Sequence, residues 1–233
     1  MNIAQALSVA ALSSCLAISS PFGVRTASHG SLLPAPDRDI LIEANEEVEM
    51  SLWEMLSAVG SASGVHIVAT ESTRALLESN ASGFDRDFLI PAGDAWRIAQ
   101  QVLIQNELSM ARLNDGEATV VSVLSPDQAR GVAAVYTALS AETLGEAERN
   151  PGLHVEVVLR LQNSDAHVIS NQARNLAQER WSLSMMPLSA DTILVRGIGY
   201  EVSLICLRLL ALDAAVQAEI EELQTGAGES SGA

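Results

Sequence analysis

The sequence predicts an α+β protein built from two small domains. Three observations carry that expectation. Short stretches with helical apolar spacing alternate with short runs rich in β-branched residues. The chain is 233 residues long and 48% apolar, enough for one or two domains with buried cores. A strong breaker, Asn150-Pro151-Gly152, separates the two halves. The expected divisions are residues 1–36, an export signal and linker; 37–125, a first domain; 126–152, a helical connector; 153–215, a second domain; and 216–233, a flexible acidic tail.

Residues 3–18 are apolar, and Ser19, Ser20 and Pro21 follow. The stretch is short for a bilayer span but fits the apolar region of a secretory signal. It lacks the usual cationic start. Leu12-Ser13-Ser14-Cys15 resembles a bacterial lipobox, which makes Cys15 a candidate for lipidation. Residues 21–36 hold Pro21, Gly23, Gly30, Pro34 and Pro36, a linker composition.

The first domain begins with an apolar strand within Asp39 to Val48. Ser51 and Glu54 stand at capping-box spacing, and Leu52, Met55, Leu56 and Val59 give the following helix one apolar face. Gly60 and Gly64 bracket its end. Val65 to Ala69 reads as a strand. Residues 70–87 are polar, with one helical turn expected around Arg74 to Glu78. Phe88-Leu89-Ile90 is a short strand, and Asp94 is the expected cap of a helix with Ala95, Ile98, Ala99, Val102 and Leu103 on its apolar face. Leu108 to Leu113 and Ala118 to Leu124 form a hairpin around Asp115-Gly116.

This order resembles the STN module, the small domain that opens secretins and TonB-dependent signal-transducing receptors. The resemblance is carried by 64-GVHIVA-69 and by 88-FLIPAGDAWRIAQQVLIQNELSMARLNDGEATVVSV-123. One departure is that Asn106-Glu107 stands where a glycine is common in that family.

In the connector, Ser125-Pro126 with Gln128 marks a helix start, and Tyr136 and Leu139 continue at helical spacing. The second domain reads as strand, helix, two strands and helix. Val155, Val157 and Leu159 alternate along His154 to Leu161. Ser164 or Asp165 caps a helix with Val168, Ile169, Ala173, Leu176 and Ala177 on its inner face. Trp181 to Met186 and Thr192 to Arg196 are strands. The last helix has an apolar seam of Val202, Ile205, Leu209 and Leu212, widened by Cys206 and Leu210.

That β-α-β-β-α order is similar to the KH-like second periplasmic domain of secretins. The matching elements are Arg160-Leu161, Asp165-Ala166, Thr192-Ile193-Leu194-Val195 and Leu212-Asp213. No barrel-type strands are expected after residue 215, so the resemblance is to secretin ring domains without the barrel. It implies a periplasmic component of a type II-like secretion or pilus system, a ring adaptor or truncated secretin. Self-association and binding of secretion-system proteins or a secreted substrate would follow, with no membrane-spanning region in the mature chain. An STN-type signalling module of a TonB-dependent system is the alternative.

Charge and chemistry narrow the classes further. The net charge is −16 and every cation is arginine, for the chain has no lysine. An acidic surface repels phosphates, so nucleic acid is not an expected partner. Gly197-Ile198-Gly199 is not the GXXG clamp of an RNA-binding KH domain. Without lysine there is no phosphate-loop or Schiff-base lysine. Two cysteines and four scattered histidines suggest neither a disulfide framework nor a metal site. His66 and His154 lie in strands without evident partners, and His167 follows Asp165 without a nucleophile to activate. Glu46, Glu47 and Glu49 read as a solvated acidic run, and Trp53, Trp96, Trp181 and Tyr136 as packing residues. No catalytic residue, cofactor or metal is expected.

Overall fold

The computed structural model describes residues 32–43, 50–84, 86–114, 118–130, 136–177 and 182–229. Strand β1 (Ile40–Ile42) precedes helix α1 (Leu52–Ser63), which begins at the expected capping box. Ser51 N donates to Glu54 Oε2 at 2.8 Å, and Glu54 N donates back to Ser51 Oγ at 3.2 Å. The Ser51 backbone N–H foremost, and the Ser51 hydroxyl that donates to the same oxygen at 2.9 Å, hold the Glu54 carboxyl below its ordinary pKa. The helix ends at Gly64, whose φ of 67° is the left-handed conformation that glycine tolerates best.

Strand β2 (His66–Val68) is followed by a full helix, α2 (Glu71–Ser79), where a single turn was expected. Thr70 starts it by accepting from Thr73 N, Arg74 pairs with Glu78 one turn on, and the buried Thr73 and Leu77 anchor its inner face. Strand β3 (Phe88–Ile90) pairs antiparallel with β1. A 3₁₀ turn (Ala92–Asp94) leads into α3 (Ala95–Gln105). Asp94 is the N-cap by position but makes no capping bond; its carboxylate takes the Arg97 guanidinium instead, at 2.9–3.0 Å.

Strands β4 (Ser109–Arg112) and β5 (Val120–Leu124) pair antiparallel, and β2 joins β5 in parallel, giving the sheet order β2-β5-β4. The turn expected at residues 115–117 lies outside the described residues. Glu107, at the position where the STN resemblance has a glycine, adopts φ 57°. The end of α3 thus needs a left-handed residue and carries it on a side chain that disfavours it.

The segment expected as a wholly helical connector is not one. After α4 (Pro126–Arg130) it enters strand β6 (Thr137–Leu139), a 3₁₀ turn (Ala141–Thr143) and α5 (Leu144–Arg149). The reason is tertiary. Thr137, Ala138 and Leu139 are all buried and pair in parallel with β7 (His154–Arg160), so this segment supplies an edge of the second sheet. Gln128 Oε1 does accept from Ser125 N, as the helix-start reading requires, and the side chain also bonds Thr70 and Thr73 of the first half.

The rest is the expected β-α-β-β-α run: β7, α6 (Ala166–Ala177), β8 (Ser184–Pro187), β9 (Thr192–Ile198) and α7 (Gly199–Glu229). The second sheet has the order β6-β7-β9-β8. Trp181, expected to open a strand, lies outside the described residues. Helix α7 continues to Glu229 where a flexible tail was expected. At 31 residues it is about 46 Å long.

Buried side chains from both halves form one contiguous core running from Leu32 to Leu209. Leu32 and Leu33, at the end of the expected linker, belong to it, and Pro34 O accepts from Trp96 Nε1 at 2.9 Å. Ala111, Leu124 and Ala129 make a separate small cluster under α4. Among the described residues no helix is long and apolar enough to cross a membrane.

Candidate functional site

The two sheets meet at a buried polar junction. Met110 N donates to Gly152 O at 2.8 Å, so β4 touches the segment that leads into β7. Gly152 N donates to Gln100 Oε1 at 2.9 Å, and Gln100 Nε2 reaches Asn150 Oδ1 at 3.4 Å. Gln100 is fully buried on the inner face of α3, and Asn150 is nearly so. One residue further, Ser109 Oγ and His154 Nε2 lie 2.9 Å apart, both side chains sealed from solvent. The Tyr136 ring stands edge-on to the imidazole at 5.5 Å. The Arg196 guanidinium lies 5.4 Å from the centre of that ring and is ion-paired to Glu156 at 2.8 Å.

Burial sets the electrostatics of this cluster. Desolvation pushes the His154 pKa down to about 4, so the ring is neutral at pH 7. Desolvation raises Tyr136, offset in part by Arg196. A serine beside a neutral imidazole is the beginning of a nucleophilic pair. Here both groups are at 0% exposure, so no substrate atom reaches the hydroxyl. The geometry suits a structural tie between halves.

Strand alternation extends this site into a surface. His154, Glu156 and Val158 share the face of β7 that points away from α6 and α7, and their exposures are 0%, 7% and 48%. The face is covered where β4 and Tyr136 lie over His154 and opens towards Val158. There Val158 and Met186 both flank Leu194 across the register, and Leu188 continues the apolar row. Met186 and Leu188 are about half exposed. A second apolar pair, Leu41 opposite Leu89, lies outward on the β1–β3 ribbon.

The remaining candidates are dispersed. His66 is exposed on β2. Asp165 Oδ1 accepts from the backbone N–H of His167 and Val168, so its carboxylate caps α6 rather than orienting the imidazole. Cys15, Glu46, Glu47 and Glu49 lie outside the described residues. Trp96 is buried in the core, and Trp53 is half-buried beneath the Arg74 guanidinium at 4.4 Å. Cys206 is buried, which pushes its thiol up to about 12. Among the described residues no group of three or more His, Cys, Asp or Glu could hold a metal ion. A cleft of about 200 Å³ beside Trp96 and Asn150 is lined by Arg97 and Arg149, each already ion-paired within its own helix region.

Asp213 has a defined structural task. Its carboxylate, 5% exposed, accepts from Gln162 N at 2.8 Å and Asn163 N at 2.9 Å. Burial alone would raise its pKa, but these backbone donors outweigh that and hold the carboxyl below its usual value. Asp213, read from the sequence as closing the last helix, lies in mid-helix because α7 runs on to Glu229, and from there it fastens α7 to the loop between β7 and α6. Gln100 and Ser109 carried no signal of their own beyond being polar residues on faces that are otherwise apolar.

No family model and no curated protein matches the chain. Similar solved structures include the enterotoxigenic Escherichia coli GspC–GspD complex from the type II secretion system. That chain is 10% identical, with 76% of this chain and 99% of that one covered, at a TM-score of 0.27. A score that low carries no inference about fold or function.

Proposed function

We propose that this chain is a non-enzymatic, exported interaction component of a type II-like secretion or pilus system, acting in the periplasm as a ring adaptor or truncated secretin. The reading rests on the resemblance of its two halves, in order, to the STN module and the KH-like second domain of secretins. The single observation that supports a docking role is the open end of the second sheet. Val158, Met186 and Leu188 form an apolar row there, each about half exposed. The edge strand beside it ends in Pro187, which lacks an N–H, so docking through the sheet face is favoured over strand addition. The sealed Ser109–His154 pair is consistent with the absence of a reaction centre in this proposal.

Light scattering at low and high protein concentration tests the reading. Concentration-dependent growth of the wild-type particle, abolished by Val158→Asp with Met186→Asp, is the expected result. A monomer at every concentration that also co-purifies with no secretion component would overturn it.

A further inference from the structure

The tie between the halves is built from a group that changes charge in mild acid, and its burial disfavours the charge. Either neutral tautomer of His154 satisfies Nε2 through Ser109. Nδ1 is buried and has no hydrogen-bond partner among the described residues. A bare lone pair can remain there at modest cost. Protonation would place an N–H donor and a positive charge at the same sealed position, with no acceptor to receive it.

The neighbours give the cation little help. From β4 comes the uncharged Ser109, and from the residue before β6 the Tyr136 phenol, edge-on. Opposite on β9 is Ile198. Glu156 lies two residues along the same face of β7, but its carboxylate is committed to Arg196, itself a like charge to an imidazolium. On the first turn of α7, Glu201 is bonded to Ser182. The second tie, Gln100 to Gly152 and Asn150, is uncharged and does not respond to pH in this range.

We propose that the Ser109–His154 contact is an acid-released latch: protonating His154 parts the β2-β5-β4 sheet from the β6-β7-β9-β8 sheet while each keeps its own pairing. The sign follows from burial. A histidine whose folded pKa lies below its unfolded value of about 6.5 favours the closed state at neutral pH and loses that contribution as pH falls from about 6.5 towards about 4. Opening re-solvates the imidazole and exposes the covered end of the sheet face at His154 and Glu156.

Hydrogen exchange resolved to single amides tests this, using the full chain between pH 7 and pH 4.5 with intrinsic exchange rates corrected. The reporters are the Met110 and Gly152 N–H groups, which bond only across the junction. Their protection is expected to fall at least tenfold in acid while amides paired between β7 and β9 keep theirs. His154→Gln, which can still bond Ser109 and cannot acquire the charge, is expected to hold junction protection constant. Glu156→Gln, with His154 intact, is expected to retain the acid response and gives a readout even if the first variant folds poorly. Unchanged junction protection in wild type, simultaneous loss in the β7–β9 pair, or an acid response that survives in His154→Gln would each overturn the proposal.

Discussion

Asp213→Ala is the substitution whose cost can be worked most directly from the structure. The wild-type carboxylate receives two short backbone bonds, from Gln162 and Asn163, at a position only 5% exposed. Each is charge-assisted, and such bonds contribute about 1.5–3 kcal/mol. The donors sit in a loop that water partly reaches, so the low end applies to each, and the alanine variant should lose about 3 kcal/mol. Asparagine keeps one neutral acceptor but turns an amide N–H towards a second donor, for a loss of about 1.5 kcal/mol. Urea unfolding followed by circular dichroism reads both. With a slope of about 2–3 kcal/mol per molar, the alanine midpoint falls by about 1 M. A pH series adds an independent check. The Asp213 pKa is lowered in the folded state, so its contribution is present above the unfolded carboxylate value and is lost as pH falls through the folded one. The gap between wild type and Asp213→Asn should therefore be constant from pH 7 to about 5 and close below about 4. A midpoint shift under about 0.3 M for the alanine variant, or a gap that widens in acid, would refute the staple role.

Two further outcomes follow from backbone geometry. At Gly199, where β9 turns into α7, an added Cβ would collide with the carbonyl oxygens of Ala147 and Asn150, both backbone atoms that cannot swing aside. Gly199→Ala should cost about 3 kcal/mol, read as loss of α5–α7 packing by thermal unfolding; a variant as stable as wild type would place the two helices further apart than described. At Glu107, φ 57° is left-handed, so Glu107→Gly should raise stability by about 1 kcal/mol, read as a higher urea midpoint; a drop would show that the Glu107 side chain contributes more than its backbone strain costs.

Local elements were legible where one short segment contains both its signal and its partner. The Ser51–Glu54 box and the Gly64 stop appear as read, because capping acts over two to four residues, whereas the alternation along β7 holds only from Val157 to Arg160, since His154 and Glu156 are buried as well. The misreadings share a cause. Thr137 to Leu139 has helical spacing in isolation and becomes a strand because β7 offers it a ladder. Residues 71–79 read as a polar stretch with one helical turn around Arg74 to Glu78, and form a full helix because Thr73 and Leu77 find a buried surface to pack on. Leu32 and Leu33 sat in a linker composition and are core because α3 and β4 reach back to them.

The sequence by itself determined the α+β class, the order of elements in the second half, and the absence of lysine-dependent chemistry. Periodicity, caps and composition are local quantities, and they survive whatever the chain packs against. Only the tertiary structure decided that His154 meets Ser109 across 45 residues, that Gln100 joins Gly152, and that Asp213 fastens a distant loop. Burial and hydrogen-bond partners are properties of the assembled core. A lone histidine or glutamine in a sequence acquires its charge state and its role only when the chain brings a neighbour to it and excludes the water between them.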